Sequence, residues 1–388
     1  MLKSNDSFST NLIRSSFALS ALLYAFLNLG LYNASQARPA TLDKSMFKND
    51  WLAKHYGHLG AWWIAKDYLE QKTAPDVVVF GSSQMGGLQA ADAATAGRRL
   101  DFVSDHESLT LESELQRHQL SGIRSFTAAL PGAMISDHFL LSRALFSERL
   151  KPRLVVLGLS PRDFIDATLP AASATEPYTL LSKFANLGPV DGHYYDNLSG
   201  RAERMFSQSI PLRQLCRAQV LPDFFDCAGN IRPGVCTIDP DRKMPFVDNT
   251  YEYKQRYRKP ICKSLPQQFQ FLNDFLASME QQNIKILVVG MPLMPSNRAL
   301  LSPQFWSSFR AGVSNVCAQH GATWMDMSTD ETFTANEFVD TVHTNANGGS
   351  KLAKAIADRV SSDVRLASAL LTNRNAPQLA VTGKKHPI

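Results

Sequence analysis

The sequence predicts an α/β fold with a mainly parallel central sheet, because short apolar runs alternate with longer helix-compatible segments. The clearest runs of strand length are VVVF (77–80), RLVVLGLS (153–160) and KILVVGMPLMP (285–295), which are typical of strands buried on both faces. An amphipathic helix pattern from Gln267 to Gln282 precedes the third run. With 44% hydrophobic and 19% charged residues, the chain has the composition of a globular protein with a large core.

The first element is an uncharged apolar stretch, SFALSALLYAFLNLGLY (16–32), which follows Lys3 and Arg14. Basic residues before such a stretch predict a cytoplasmic N-terminus and an exported remainder. Seventeen residues are at the lower limit for a spanning helix and also suit a signal-peptide core, with Ser35 and Ala37 at small-residue cleavage positions. We expect a signal-anchor or a signal peptide, and an extracytoplasmic protein; a buried N-terminal helix is the alternative.

The remaining elements follow in order along the chain. Two weaker strands are predicted at SFTAAL (125–130) and ATWMDMS (322–328), and the segment from residue 164 to 265 interrupts the alternation with a composition rich in Pro, Tyr, Asn and Arg. The predicted organisation is an anchor or signal peptide (1–37), a linker and lead-in helix (38–75), the first part of the core (76–163), an insertion or cap (164–265), the second part of the core (266–365) and a polar tail (366–388).

Cysteine spacing fits an exported protein. Four of the five cysteines lie within the insertion, namely Cys216, Cys227, Cys236 and Cys262, whereas Cys317 stands apart. Clustered cysteines in an oxidising compartment predict two disulfides, for which three pairings are possible. A zinc site is the rival interpretation, but the cluster contains no CxxC pair. Cys317 is expected to be a small core residue.

Charge and motif content exclude several functions. The formal charge of +5 is modest for 388 residues, and no basic stripe is interleaved with aromatic residues, so nucleic acid is not an expected partner. The glycines of VVVFGSSQMGG (77–87) lack both the GxGxxG spacing of a dinucleotide site and the GK[ST] ending of a phosphate-binding loop. We therefore expect neither a cofactor nor a metal.

Two segments carry the chemistry. Ser83 follows a predicted strand directly, and could be either a nucleophile or an ordinary turn residue. Near the other end, Asp340 and His343 are three residues apart, so the carboxylate can accept the imidazole N–H and stabilise an imidazolium. Asn345 and Gly348 then lead into a helix pattern. A serine, a histidine and an aspartate in these contexts predict a nucleophilic triad.

Over residues 76–163 and 283–362 the chain resembles the SGNH, or GDSL-type, hydrolase superfamily. The first block is FGSSQ, with Ser83 as nucleophile and Ser82 in place of the usual Asp; the second is LPGAM, with Gly132 at the oxyanion-hole glycine. The third, GLSPRD, departs from the family because Ser160 stands where Asn is usual. The last is the Asp340 to His343 block. The resemblance implies an SGNH-hydrolase-like three-layer α/β/α sandwich with a large cysteine-containing insertion.

The resemblance also implies roles for single residues. Ser83 would attack an acyl carbon with His343 as base, while the N–H groups of Ser83 and Gly132 bind the oxyanion. Ser160 would donate through its hydroxyl, or Arg162 would compensate for the missing Asn. Arg162 and Asn345 are also possible substrate-binding residues. The alternatives left open are Ser82 as nucleophile, an Arg162–Asp163 ion pair at the surface, and a purely structural His138.

An exported, tethered chain with altered blocks resembles the membrane-anchored SGNH-like proteins of bacterial envelope modification. These include the D-alanyl-transfer protein of teichoic acid synthesis and the alginate O-acetylation proteins. The resemblance implies a serine-dependent O-acyltransferase in the periplasm or on the outer face of the membrane, acetylating an envelope or exported polysaccharide beside a membrane-bound O-acyltransferase partner. A carbohydrate esterase with the same triad, and a non-catalytic scaffold or binding subunit, are the alternatives, since fold alone does not decide between them.

Overall fold

The fold was described from a computed structural model. It describes residues 16–27, 29, 42–184, 193–194, 233–234, 237–240, 245–260 and 263–371. Cys216, Cys227, Cys236 and Cys262 lie outside these residues, so the predicted disulfides do too. Cys317 is buried and unpaired, as predicted for a core position.

The central sheet has five parallel strands in the order β3-β1-β4-β6-β7. Together with a short antiparallel pair, β2 and β5, the strands are β1 (Val77–Gly81), β2 (Leu100–Asp101), β3 (Ser125–Ala129), β4 (Leu154–Leu159), β5 (Thr237–Ile238), β6 (Lys285–Gly290) and β7 (Thr323–Asp326). Each of the five predicted apolar runs forms one strand of the main sheet. The pair of β2 and β5 joins the inserted segment to the core.

Helices pack on both sides of the sheet. In chain order they are α1 (Asp50–Tyr56), α2 (Gly60–Leu69), α3 (Gly86–Ala96), α4 (Leu109–Arg117), α5 (Ile135–Leu145), α6 (Arg162–Ile165), α7 (Glu176–Phe184), α8 (Thr250–Arg256), α9 (Ser264–Gln281), α10 (Pro295–Arg298), α11 (Pro303–Gln319), α12 (Ala346–Ser362) and α13 (Val364–Leu371). Among the residues that the structure describes, 3₁₀ turns are found at Lys44–Lys48, Ser83–Met85 and Ala335–Glu337.

The alternation of side chains along the strands divides the core into two layers. Val78 and Phe80 of β1 pack in a cluster with residues of α2, α5, α9 and α11. Val77 and Val79 point to the other face and pack with residues of α3, α4, α12 and α13. Both faces of the sheet are therefore covered, which confirms the predicted three-layer α/β/α sandwich and explains why the strands are continuous apolar runs.

The C-terminal boundary of the core differs from the prediction. A polar tail was expected from residue 366, but α13 continues to Leu371 because Leu366 and Leu370 are buried against the sheet. Four-residue spacing places both leucines on one face of the helix. The apolar face of this segment was not recognised in the sequence.

Residues 16–27 are helical, and their large apolar side chains are exposed, among them Phe17 and Phe26, with 75% and 69% of their surface accessible. This exposure contradicts the alternative of a buried N-terminal helix. Within the described parts of the chain, no helix has both the length and the apolar character needed to cross a membrane.

The strand order identifies where a ligand site is expected. The chain leaves β1 toward β3 on one side, whereas β4 lies beside β1 on the other, so the order reverses between β1 and β4. In open α/β sheets the crevice at the carboxyl ends of such strands is the usual ligand position. Ser83 follows β1 and Ser160 follows β4 at this edge.

Candidate active site

Ser83 begins the 3₁₀ turn that connects β1 to α3. The last residue of this turn, Met85, is fully buried and anchors the turn in the core. A Cβ atom at Gly81 or Gly158 would collide with the Met85 side chain, so both glycines make room for it. A tightly packed turn of this kind fixes the direction of the Ser83 side chain, which is only partly buried. The neighbouring Ser82 is 3% exposed and is therefore not presented to solvent.

The histidine comes from the loop before α12. His343 Nε2 lies 2.7 Å from Ser83 Oγ, and His343 Nδ1 lies 2.6 Å from Asp340 Oδ2. The second oxygen, Asp340 Oδ1, accepts the backbone N–H groups of Val342 and His343 at 2.8 and 2.7 Å. The structure therefore brings Ser83, His343 and Asp340 into one hydrogen-bonded relay, and the two N–H bonds orient the carboxylate.

The electrostatics of Asp340 suit a role as an ionised partner. Burial on its own would raise the pKa of Asp340, but hydrogen bonds from the ring and backbone of His343, its charge, and the N–H of Val342 lower the pKa below its usual value. The side chains of His343 and Asp340 are 28% and 17% exposed, so the relay can be reached from solvent.

Close packing of α3 against α12 brings the two halves of the relay together. A Cβ at Gly349 would overlap the carbonyl oxygen of Gly87, and a Cβ at Gly87 would overlap Thr344 Oγ1. Only glycine permits the two helices to approach so closely. Because α3 follows the turn that begins at Ser83 and α12 follows the loop of His343, this crossing sets the distance between the two side chains.

Asn345 caps α12. Its Oδ1 accepts the N–H groups of Asn347 and Gly348 at 3.0 and 3.1 Å, and its Nδ2 donates to the carbonyl of Asn336 at 2.7 Å. Both ends of the amide are therefore engaged. The predicted substrate-binding role of Asn345 is not the role seen in the structure, because an Asn at an N-cap is used by the helix itself.

Gly132 supplies the second candidate oxyanion donor. Gly132 has φ of +78°, a conformation that glycine adopts without strain. It is exposed and lies in the loop that follows β3. Neither the N–H of Gly132 nor that of Ser83 has an acceptor among the residues that the structure describes. The N–H of Ser83 is one of the unpaired donors at a helical N-terminus. Two backbone donors, at Ser83 and Gly132, are thus unpaired among the described residues.

Ser160 is turned toward a buried carboxylate. Its N–H and its hydroxyl both donate to Asp163 Oδ2, at 2.8 and 3.3 Å. Asp163 is fully buried; burial raises its pKa to about 6, against the lowering effects of Arg162, Ser160 and Ser82. The hydroxyl of Ser160 is therefore bonded to Asp163, which contradicts its predicted use as a free oxyanion donor.

Arg162 and Asp163 do not form an isolated surface pair, since both are buried. The guanidinium of Arg162 lies 3.6 Å from Asp163 but contacts Asp166 more closely, with Nε at 3.1 Å and Nη2 at 2.9 Å from Oδ2. Its Nη1 donates to the carbonyl of Ala133 at 2.8 Å. Arg256 Nη1 reaches the same oxygen of Asp166 at 2.6 Å. Arg162 thus fixes the loop that carries Gly132, through its hydrogen bond to the neighbouring Ala133.

Part of the inserted segment supports the Asp340 loop, a role that the sequence did not indicate. Val247 N–H donates to the carbonyl of Val339 at 2.9 Å, and Asn249 Oδ1 accepts the N–H of Thr341 at 3.1 Å. Pairing between residues so distant in the chain leaves no periodic signal in the sequence.

His138 of α5, which was a candidate structural residue, is fully buried beside Phe80 of β1. Burial lowers the pKa of His138 to about 3.

A concave surface is formed by the segments that follow β6 and β7. It has a volume of about 750 Å³ and is lined by Arg298, Trp306, Arg310 and Thr329, among others. Asn297, which precedes the lining residue Arg298 in α10, donates to Thr341 Oγ1 at 3.1 Å, so α10 is bonded to the residue after Asp340. Within the described ranges no group of three His, Cys, Asp or Glu side chains is arranged to hold a metal ion.

Comparisons with known proteins leave the function open. Residues 246–359 match the model of a family described only as a protein of unknown function, DUF1574. No curated protein matches the chain. The match to DUF1574 covers both the inserted segment beside Asp340 and the Asp340 to His343 block.

Several solved structures are similar to the chain at low identity. The lipase/acylhydrolase from Enterococcus faecalis is 11% identical, with 74% of this chain and 95% of that chain covered and a TM-score of 0.37. The acetyl xylan esterase AlAXEase is 12% identical over 73% and 99% of the two chains, with a TM-score of 0.34. Axe2, an acetylxylan esterase from Geobacillus stearothermophilus, is 11% identical over 74% and 95%, with a TM-score of 0.32.

Proposed function

We propose that the protein is an extracytoplasmic serine-dependent acyl-transfer enzyme of the SGNH type. The observation that carries the proposal is the relay of Ser83, His343 and Asp340, with 2.7 and 2.6 Å between successive partners, at the strand-order reversal of a parallel sheet. A serine hydroxyl is a weak nucleophile until a base accepts its proton, and an oriented histidine provides that base.

In the proposed reaction the acyl carbon bonds to Ser83 Oγ while the serine proton passes to His343 Nε2. The bond from the acyl carbon to the donor breaks, and the leaving group takes that proton. An acceptor hydroxyl then gives its proton to His343 and attacks the acyl-serine ester. The ester bond to Ser83 breaks, and the proton on His343 passes to Ser83 Oγ, which restores the serine hydroxyl. Asp340 stabilises the imidazolium at both stages. The free N–H groups of Ser83 and Gly132 bind the oxyanion.

The acceptor in this proposal is a hydroxyl group of an envelope or exported polysaccharide. The depression beside the Asp340 loop supports this choice, because two guanidinium groups line it, one of them stacked over the buried Trp306 ring. Arg310 pairs with Asp326 at 3.0 Å, whereas Arg298 has no carboxylate partner among the described residues. Arginine presents planar donors that suit carboxylates and phosphates, so an anionic saccharide unit fits this surface.

The exposed apolar helix of residues 16–27 supports a tether to the membrane. Exposed apolar surface of this kind is unfavourable in water and is typical of a segment with a lipid or protein partner. A tether would keep Ser83 beside a membrane-bound O-acyltransferase that delivers the acyl group. In this proposal the membrane partner supplies the donor and the exported chain selects the acceptor.

A carbohydrate esterase is the second candidate. The partial exposure of His343 and Asp340, at 28% and 17%, favours it because water can reach the relay. In that case water replaces the saccharide hydroxyl in the second step and the residues keep their roles. A non-catalytic scaffold is less well supported, since nothing in binding alone requires a serine and a histidine at hydrogen-bonding distance.

The test uses residues 38–388, treated separately with a serine-reactive phosphonate and with an activated acetyl ester, followed by intact-mass spectrometry. We expect one adduct on the parent protein and none on Ser83→Ala. Ser82→Ala is the matched control, because it removes the adjacent hydroxyl and should keep the adduct. An adduct that survives Ser83→Ala, or no adduct with either reagent, would contradict the proposed nucleophile.

The lifetime of the acetyl-enzyme then separates the two candidates. For a transferase, an added anionic oligosaccharide shortens the lifetime and becomes acetylated, whereas in buffer alone the ester persists. For an esterase, the ester decays rapidly in buffer and the oligosaccharide changes little. Arg298→Ala should weaken the effect of an anionic acceptor without changing the rate at which the acetyl-enzyme forms.

A further inference from the structure

The candidate oxyanion hole lacks its third donor. The SGNH resemblance implies a side chain after β4 for this task, but both donors of Ser160 are given to Asp163 Oδ2. Two backbone N–H groups, from Ser83 and Gly132, remain. Since the loss of one donor typically slows acyl transfer by about 10²–10³, an efficient site needs a replacement from another residue.

Arg162 has unused donors at the right place in the fold. Of its five N–H groups, the one on Nε donates to Asp166 and one on Nη1 donates to Ala133. Nη2 lies 2.9 Å from Asp166 Oδ2 as an ion pair, yet neither of its N–H groups forms a hydrogen bond with the described residues. A guanidinium that is held firmly on two sides keeps this third nitrogen in a fixed position.

Gly132 has no side chain between its backbone and Arg162 Nη2. A Cβ built on Gly132 would meet a single atom within 4 Å, Arg162 Nη2 at 3.6 Å. The side-chain side of this exposed glycine, with its φ of +78°, therefore faces the guanidinium directly. Arg162 itself is 8% exposed, so little of its surface is accessible to water.

We propose that Arg162 Nη2 is the third oxyanion donor, in place of the side chain that Ser160 withholds. The inference rests on the proposed acyl-transfer function and assigns a catalytic residue to it. When Ser83 Oγ bonds to the acyl carbon, the carbonyl π electrons move to the oxygen, and the new anion accepts N–H groups from Ser83, Gly132 and Arg162. When the donor's bond breaks, the electrons return and the hydrogen bonds weaken.

The surroundings of Arg162 favour this role. Asp166 is buried and shared by Arg162 and Arg256, which fixes the guanidinium before any substrate arrives. Donors that are already oriented need no reorganisation in the transition state, and a charged donor in a shielded site is worth more than a neutral one. Arg256 contacts the same carboxylate from α8 but has no atom within 4 Å of a Cβ built on Gly132, so it serves as a matched control.

The experiment compares Arg162→Met, Arg162→Lys and Arg256→Met by the rate of acetyl-enzyme formation from an activated acetyl ester. Both methionine variants remove a guanidinium from Asp166, but only the first removes it from the site. We expect Arg162→Met to lower the maximal rate by about 10²-fold with little change in the half-saturating ester concentration. Arg162→Lys should lose about tenfold, since the donors of an ammonium all lie on one nitrogen and cannot reach the separate positions that the three guanidinium nitrogens occupy. Arg256→Met should lose less than about threefold.

Chemical rescue separates catalysis from folding. In Arg162→Ala, added methylguanidine should restore the rate at least about tenfold through the vacated space beside Gly132, whereas a merely structural loss would not respond. If Arg162→Ala fails to fold, the ratio of the Arg162→Lys and Arg256→Met rates gives the answer. Equal rates in these two variants would overturn the role of Arg162. If the parent protein forms no adduct that Ser83→Ala abolishes, the proposed function as a whole is overturned. If that adduct forms but the Arg162 variants behave as Arg256→Met does, only the role of Arg162 is overturned.

Discussion

The two halves of the site hold their carboxylates in opposite ways. Asp340, in the relay, has its pKa lowered below the usual value, because hydrogen bonds and the charge of His343 outweigh the effect of burial. On the oxyanion side Asp163 and Asp137 are fully buried, and burial raises their pKa values to about 6 and about 7. The carboxylate of Asp340 is therefore ionised throughout the neutral range, whereas those of Asp163 and Asp137 change charge within it.

This difference reflects how each half is built. The relay half consists of a short local motif whose backbone N–H groups stabilise an anion near the surface. The oxyanion half consists of side chains that meet only after β1, β4 and the inserted segment have packed, and its polar groups are satisfied by one another. The first half is therefore expected to be sensitive to single atoms, and the second to the packing and charge of its surroundings.

The largest expected effect is that of Asp340→Asn. The amide oxygen can still accept the N–H groups of Val342 and His343, so the loop should keep its shape. The amide nitrogen would face His343 Nδ1, which then acts as acceptor and leaves Nε2 protonated and unable to receive the proton of Ser83. We expect the rate of phosphonate labelling to fall by about 10⁴-fold. An unchanged melting temperature would show that the fold is intact, and a loss of less than tenfold would contradict the relay.

The same difference explains which residues could be recognised in the sequence. Asp340 and His343 are three residues apart, and Ser83 follows a strand directly, so their contexts are local and readable. The five strands were equally readable, because each is a short apolar run. The roles of Ser160 and Asn345 could not be predicted, since each depends on which nearby polar group captures the side chain. For Ser160 that group is Asp163, and for Asn345 it is the start of α12.

Other features were not readable because their partners are far away in the chain. The bond between Asn249 and Thr341 joins an inserted segment of irregular composition to the loop of the relay. Burial of Arg162 depends on Asp166 and on Arg256, which lies 90 residues beyond Asp166. A pair of neighbouring opposite charges such as Arg162 and Asp163 is most often a surface pair. No local pattern indicates that tertiary packing places this pair inside.

Gly349→Ala tests whether helix packing connects the two halves of the relay. The new methyl group would overlap the carbonyl oxygen of Gly87, so α3 and α12 must separate. We expect the free energy of unfolding to fall by about 1–3 kcal/mol and the labelling rate of Ser83 to fall about 10- to 100-fold. Ser350→Ala, at an exposed position of the same helix, is the matched control for both measurements. Normal labelling in Gly349→Ala would show that the crossing does not set the relay.

The raised pKa of Asp137 predicts how stability depends on pH. Folded Asp137 holds its proton more tightly than the unfolded chain, so its contribution is complete below the unfolded pKa of 3.8 and is lost as the pH rises through about 7. The free energy of unfolding of the parent should therefore decrease between pH 5 and pH 8. In Asp137→Asn this decrease should be smaller, by at least about 1 kcal/mol. Denaturant titrations at both pH values measure this difference.

Asp340→Asn provides the contrast for the pH measurement. Because the pKa of Asp340 is lowered, its contribution to stability is present above the unfolded pKa and is lost only as the pH falls through the folded value. The variant should therefore follow the parent between pH 5 and pH 8. Equal slopes for the parent and Asp137→Asn would show that Asp137 is ionised when buried, and the contrast between the two halves would disappear.

The smallest expected effect is that of Ser160→Ala, and it distinguishes the two ways of completing the oxyanion hole. The Ser160 hydroxyl donates to Asp163 Oδ2 at 3.3 Å, so its removal should slow acetyl-enzyme formation by no more than about threefold. Stability should fall by about 1 kcal/mol, because the buried Asp163 loses one hydrogen bond but keeps the N–H of residue 160. A loss of about 10²–10³ in rate at unchanged stability would instead make Ser160 the third donor. After two backbone N–H groups have bonded the oxyanion, it has room for only one further donor. Large and equal losses of rate in Ser160→Ala and Arg162→Met would therefore mean that the two side chains act as one unit through Asp163. In that case the double variant Ser160→Ala, Arg162→Met should be no slower than either single variant.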